Sequence, residues 1–364
     1  MDRLLVYGAY GYSGRLVVRE AIKRGGAPVV GGRNRRRVVE LADDFGLEGQ
    51  VFGLGADSLP DTLSNFDAVL NCAGPFENTA APLVAACLES ETDYLDLTGE
   101  IGVFHRLRHI DERAEAAGVT LLPGVGFEVV VTDCLAAFLR SQLPTANTLK
   151  IAIANFGSLS RGTTKTAIRH SGKGGVVRRN GRLLRVPTAH DVHEFDFGDG
   201  PEPAVSVPLG DVVTAHHSTG IDTVTTYVAA PRSAVAVVRL CRPLEGLLST
   251  SPVTRILEGA ADRFVTGPDD PELTTGEVAV AAEVTDGERT AKARLHTPTV
   301  YGITAEAAVC AARRVLDGVA ECGFQTPSTA FGAEFVLDLE GVRREGVKPP
   351  TATDDSVNGV SNGR

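Results

Sequence analysis

Leu4-Leu5-Val6-Tyr7-Gly8-Ala9-Tyr10-Gly11-Tyr12-Ser13-Gly14-Arg15 decides how the rest of the chain is read. A short apolar run suited to a buried strand comes first, and three glycines follow at GxxGxxG spacing. Leu16, Val17, Ala21 and Ile22 then fall on one face of a helix. Glycines between a strand and a helix let the backbone turn tightly and let phosphate oxygens approach the main chain. The helix-terminal amides complement their charge. A glycine triplet alone also punctuates ordinary turns, so its place between the opening strand and helix is what points to a nucleotide. Gly8, Ala9, Tyr10, Gly11, Tyr12, Ser13 and Gly14 are therefore candidate phosphate-loop residues.

Residues 28–32 read as a second strand, and Gly32-Arg33-Asn34-Arg35-Arg36-Arg37 follows it. An NAD site places Asp or Glu here to hold the ribose hydroxyls. A carboxylate would repel a 2′-phosphate, whereas a guanidinium binds one bidentately. Arg33 and the neighbouring Asn34 are the candidates, with Arg35–Arg37 serving in part to solvate the next helix. The expected cofactor is NADP(H).

Outward from this unit, strand-like and helix-like runs alternate through residue 125. That alternation predicts an α/β fold with a Rossmann-type, doubly wound parallel sheet. From about residue 150 to 298 strands follow strands. Asn180-Gly181 and Asp286-Gly287 mark two hairpins, so the second domain is expected to be largely antiparallel α+β, with one helical stretch at 253–264. The expected organisation is a nucleotide-binding domain at 1–125, a strand-rich substrate and dimerisation domain at 126–345, and a disordered tail at 346–364 that is poor in apolar residues. Residues 323–339 carry Phe324, Phe331 and Phe335, and are expected to add a strand to the second domain or to lie across a second subunit as a homodimer.

Composition removes several classes. The 364 residues carry a net charge of −10, the wrong sign for a nucleic-acid binder. No apolar run reaches the ~18 residues of a membrane span. Asp2 and Arg3 run straight into the first strand, without the pattern of a signal peptide, so a cytoplasmic location is expected. The six cysteines are scattered and read as reduced thiols. His190, His193, His216 and His217 form no compact ligand set, so no metal is expected.

The chain resembles the saccharopine dehydrogenase-like family of oxidoreductases, including its trans-acting enoyl reductase branch. The resemblance runs from Leu4 to about Leu339. Its carriers are GAYGYSGR at 8–15, GGRN at 31–34, VLNCAGPF at 69–76, DYLDLTGE at 93–100, LLPGVGFEVVVTDCLA at 121–136 and GFQTPSTAFGAEFVLDL at 323–339. It implies that Asn71, Cys72, Ala73, Gly74, Pro75 and Phe76 form a loop beneath the nicotinamide. Glu128 and Val131 stand where relatives carry the Asp of GFD and a later proline.

Candidates for catalysis are Tyr94, Asp96, Lys165 and His170. Lys165 sits in a Gly162–Lys165 loop that, with Arg161 and Arg169, either faces an anionic group or carries ordinary solvated charges. Asp96 and Glu100 either hold substrate or cofactor or cap the following helix. The function expected is NADP(H)-dependent hydride transfer to a C=N, C=C or C=O bond of a small-molecule or lipid-like substrate held between the domains. The alternative is an NADPH-binding sensor without turnover.

Overall fold

The computed structural model describes residues 3–155, 174–240, 259 and 276–352. The first half lays down β1 (Leu4–Tyr7), α1 (Tyr12–Lys23), β2 (Val29–Gly32), α2 (Arg35–Phe45), β3 (Gly49–Val51), α3 (Leu59–Leu63), β4 (Ala68–Asn71), α4 (Phe76–Ser90), β5 (Asp93–Asp96), α5 (Ile101–Arg108), α6 (Asp111–Ala117) and β6 (Thr120–Leu122). The strands are only three or four residues long, and apart from the edge strand β3 their polar residues fall at strand ends, which leaves apolar centres for helices to cover. They pair in parallel in the order β6-β5-β4-β1-β2-β3. The order reverses between β1 and β4, so the loops leaving those two strands part to opposite sides and leave a crevice at the carboxyl edge.

The second half continues with α7 (Phe127–Gln142), β7 (Thr148–Ala154), β8 (Gly175–Arg179), β9 (Arg182–Val186), β10 (Val192–Asp196), β11 (Pro201–Ser206), α8 (Asp211–Thr219), β12 (Thr223–Ala229), α9 (Arg232–Leu240), β13 (Val278–Thr285), β14 (Arg289–Thr297), α10 (Val300–Leu316), β15 (Gly323–Phe324), α11 (Pro327–Phe331) and β16 (Arg343–Ala352). Its sheet runs β10-β11-β12-β7-β13-β14-β16, with the β8–β9 hairpin attached to β12. All pairings are antiparallel except β7 with β12, so the sheet is mixed. Asn180 and Gly181 both have positive φ (47° and 73°), the backbone a two-residue hairpin turn requires.

Helix α7 is buried on almost every side and lies between the two sheets. One core runs from Val6, Val17 and Leu70 of the first domain through Phe127, Val130 and Leu135 to Ile151, Ile153 and Val280 of the second. Alanines at 305, 307, 308, 311 and 312 let α10 pack closely against the first domain.

Two expectations fail here. Gly323 and Phe324 do not join the second sheet; they pair in parallel with β6 and extend the first. Phe324 and Phe335 are buried inside the chain, and Arg314 lies over the rings of Phe331 and Phe335. Two of the three phenylalanines of this segment are thus taken up by the chain's own core. The tail expected from 346 is also ordered further, since β16 follows β14 to Ala352. Pro349 and Pro350 together oppose Ala291 at a bulge, where two residues lacking an N–H fit an edge strand. Lys165, His170, Arg161, Arg169, the stretch 253–264 except Gly259, and residues 353–364 lie outside the described residues.

Candidate functional site

The loop after β1 is built by its glycines. Gly8 has φ +79°, and a Cβ on it would lie 2.7 Å from the Cβ of Ala73 in the loop after β4. A Cβ on Gly14 would lie 2.4 Å from the Gly8 carbonyl oxygen. The first and third glycines are therefore required by the approach of backbone to backbone, while Gly11, with its nearest contact at 3.2 Å, is less constrained. Gly11 precedes α1 in extended conformation and places no side chain over the helix's amino end. The Tyr12 ring meets that of Tyr301 edge-on at 5.0 Å, which ties this end of α1 to α10.

The arginine run divides by position. Arg33 lies in the connection between β2 and α2, is exposed, and has no hydrogen bond or ion pair among the described residues. Its charge is felt by Tyr7 at the end of β1, where burial and Tyr10 push the phenol up and Arg33 opposes them. The side chain of Asn34 accepts from the Arg37 amide at 3.1 Å and so caps α2. Arg37 sits over the Tyr10 ring at 5.5 Å, and Tyr10 in turn lies flush on Gly32.

Across the crevice the loop after β4 is held by a buried polar network. The Asn71 carboxamide accepts from the Ala73 amide at 3.0 Å and donates to Thr79 Oγ1 and Tyr94 Oη, both at 3.1 Å. The Tyr94 hydroxyl donates to Asp96 Oδ2 at 2.8 Å, and Asp96 Oδ1 accepts from the amides of Thr98 and Gly124 at 2.9 and 3.0 Å. Tyr94 and Asp96 are both 0% exposed. Their bonds are satisfied internally, so they position the loop and present no group to a substrate. Burial pushes Asp96 up to about 6, with the two amides and Tyr94 opposing it. It also raises the Tyr94 phenol and the half-buried Cys72 thiol well above their usual ranges.

Glu100 caps a helix, but not the one that follows it. Its carboxylate accepts from the amides of Phe76 at 3.0 Å and Glu77 at 2.7 Å, the amino end of α4. Pro75 precedes that helix and offers no side-chain cap, so a carboxylate from the loop after β5 serves instead.

A pair that sequence reasoning did not assign lies beside this loop. Glu128, in the first turn of α7, has Oε2 only 2.7 Å from where a Cβ on Gly99 would stand, and its Oε1 accepts from the Gly210 amide at 3.2 Å. Asp211, at the start of α8, is fully buried. Its Oδ1 accepts from Thr132 Oγ1, and its Oδ2 has no hydrogen-bond partner among the described residues. Burial raises Glu128 to about 7, against the Gly210 amide, and raises Asp211 through burial and the charge of Glu128. The available signal was an acid at 128 and another at 133 inside a run that, Thr132 apart, is otherwise apolar. Asp211 gave none, since an acid opening a helix is ordinary.

Residues 4–122 match the family model of the saccharopine dehydrogenase NADP binding domain. The chain is 35% identical over 142 residues to a trans-acting enoyl reductase of Mycobacterium leprae, which covers 36% of this chain and 33% of that protein. It is 27% identical over 208 residues to a saccharopine dehydrogenase-like oxidoreductase of Rattus norvegicus, covering 49% and 48%. These matches span at most about half the length of those relatives. The fold is similar to apo saccharopine dehydrogenase (L-Glu forming) from Saccharomyces cerevisiae, with a TM-score of 0.65 at 14% identity over 97% of this chain and 100% of that one. Among the described residues, no helix is long and apolar enough to cross a membrane.

Proposed function

We propose that the protein is an NADP(H)-dependent oxidoreductase that passes hydride to a C=N, C=C or C=O bond of a substrate seated between its domains. The observation that carries this reading is the pairing of two loops across the β1/β4 reversal, with an unengaged Arg33 at the end of β2. Gly8, Ala9, Tyr10, Gly11, Tyr12, Ser13 and Gly14 would hold the pyrophosphate, with the amino end of α1 behind it. Arg33 would meet the 2′-phosphate, and the loop from Asn71 to Phe76 would lie under the nicotinamide. The cofactor supplies the hydride when bound, while the chain binds, orients and excludes water. The pairing of Glu128 with Asp211 favours a neutral or cationic acceptor over one that brings a carboxylate to this position.

The test follows NADPH absorbance with purified protein and a cell metabolite extract, using NADPH deuterated at the transferring carbon. Deuterium appearing in one metabolite supports the reading and identifies the acceptor. Tight NADPH binding without consumption by any extract would instead describe a sensor.

A further inference from the structure

We propose that Tyr10 of the glycine loop sets the cofactor preference by holding Arg37 over its ring, so that Arg37 joins Arg33 as a second guanidinium for the 2′-phosphate. This rests on the NADP(H) reading above and adds to it a positioning residue that ties the glycine loop to the arginine run.

The Tyr10 ring touches that run at both ends. A Cβ on Gly32 would stand 2.5 Å from Tyr10 Cε1 and 3.2 Å from its Cζ, so the ring lies on the last residue of β2, and a side chain there would displace it. Arg33 is the next residue along the chain. On the other side, the guanidinium carbon of Arg37 stands over the ring at 5.5 Å from its centre. The Arg37 backbone is fixed as well, because its amide donates to Asn34 Oδ1 at 3.1 Å in the cap of α2. One ring therefore spans from the residue before Arg33 to Arg37, and it belongs to the loop assigned to the pyrophosphate.

The charges are set against the helix's own preference. Arg35, Arg36 and Arg37 fill the first turn of α2, which holds no acid, and the amino end of a helix disfavours cations. None of these three side chains, nor that of Arg33, has a hydrogen bond or ion pair among the described residues. A phosphate seated among them would offset that repulsion. The three do not point the same way. At about 100° per residue, Arg36 falls about 160° round the helix from the buried Val38 and faces solvent, whereas Arg37 falls about 40° from the buried Leu41. Among the described residues, Arg37 alone of the three lies over an aromatic ring. A guanidinium held over a ring loses less freedom when it binds, and its N–H edge stays open to phosphate oxygens.

The test titrates NADPH and NADH into the wild-type protein and its variants and reads the ratio of the two Kd values, from which any change common to both cofactors cancels. AMP and adenosine 2′,5′-bisphosphate repeat the comparison without the nicotinamide. Arg37→Gln should lower the NADPH preference about tenfold or more, as the loss of one charge-assisted phosphate contact requires. Arg36→Gln removes the same charge from the same turn and should change the preference less than about twofold. Tyr10→Leu should lower it about threefold, and Tyr10→Phe should keep it, because the ring and not the hydroxyl holds the guanidinium. Combining Tyr10→Leu with Arg37→Gln should cost no more than Arg37→Gln alone. Equal losses in Arg36→Gln and Arg37→Gln overturn the second guanidinium. Tyr10→Leu weakening both cofactors alike, or adding its full loss to that of Arg37→Gln, overturns the role of Tyr10. A wild-type protein that binds neither cofactor, or both equally, overturns the cofactor reading itself. An NADPH preference indifferent to Arg37 and Tyr10 leaves that reading standing and overturns only the clamp.

Discussion

Glu100→Gln isolates the contact that joins the two sides of the site. The carboxylate accepts from two backbone amides at the amino end of α4, at 3.0 and 2.7 Å, and its residue is 6% exposed. Glutamine keeps one acceptor oxygen but turns an NH2 group toward the second amide, leaving a buried donor unmet. Hydrogen bonds to a charged group contribute roughly 1.5–3 kcal/mol each. The lost charge also faced the positive end of a 15-residue helix, worth about 0.3–1 kcal/mol. One bond lost and one weakened gives about 2–3 kcal/mol. In urea, with a slope near 3 kcal/mol/M for a chain of this size, the unfolding midpoint should fall by roughly 0.7–1 M at unchanged slope. Cofactor affinity should fall as well, because the loop from Asn71 to Phe76 loses its anchor. An unchanged midpoint together with unchanged affinity would refute the cap.

Arg33→Asp should weaken NADPH about 100-fold by replacing attraction with repulsion worth about 3 kcal/mol, and leave NADH little changed; fluorescence titration of both cofactors checks it. Gly14→Ala presses a methyl onto backbone 2.4 Å away and should cost about 2–3 kcal/mol in thermal melts, whereas Gly11→Ala should cost less. Burial lets Asp96 keep its proton up to about pH 6 in the fold, against 3.8 for an ordinary aspartate carboxyl. The folded state therefore binds more protons across that window, and stability falls by roughly 3 kcal/mol as pH rises from 3.8 to 6. Asp96→Asn should flatten that part of the curve, measured by denaturation at a series of pH values.

The parallel sheet and the glycine loop after β1 were legible because each residue's local preference agrees with the fold: apolar strand, glycine turn, amphipathic helix. The hairpins at Asn180-Gly181 and Asp286-Gly287 were legible for the same reason. Segment 323–339 was misplaced because β propensity says that a strand forms and not which sheet edge it joins. Gly323 and Phe324 reach β6 only after α10 has crossed the core. Tyr94 and Asp96 carry the right chemistry for a site, and sequence cannot tell a buried network from an accessible one. The trans cap by Glu100 and the pairing of Glu128 with Asp211 join residues 23 or more positions apart. Only folding brings them together.

Calorimetry with the wild-type chain bears most directly on the central claim that the two loops across the β1/β4 reversal hold NADP(H). NADPH should bind one site per chain, with NADH at least roughly tenfold weaker for want of the phosphate that Arg33 meets. No heat with millimolar NADPH, or equal affinity for the two cofactors, would contradict the account.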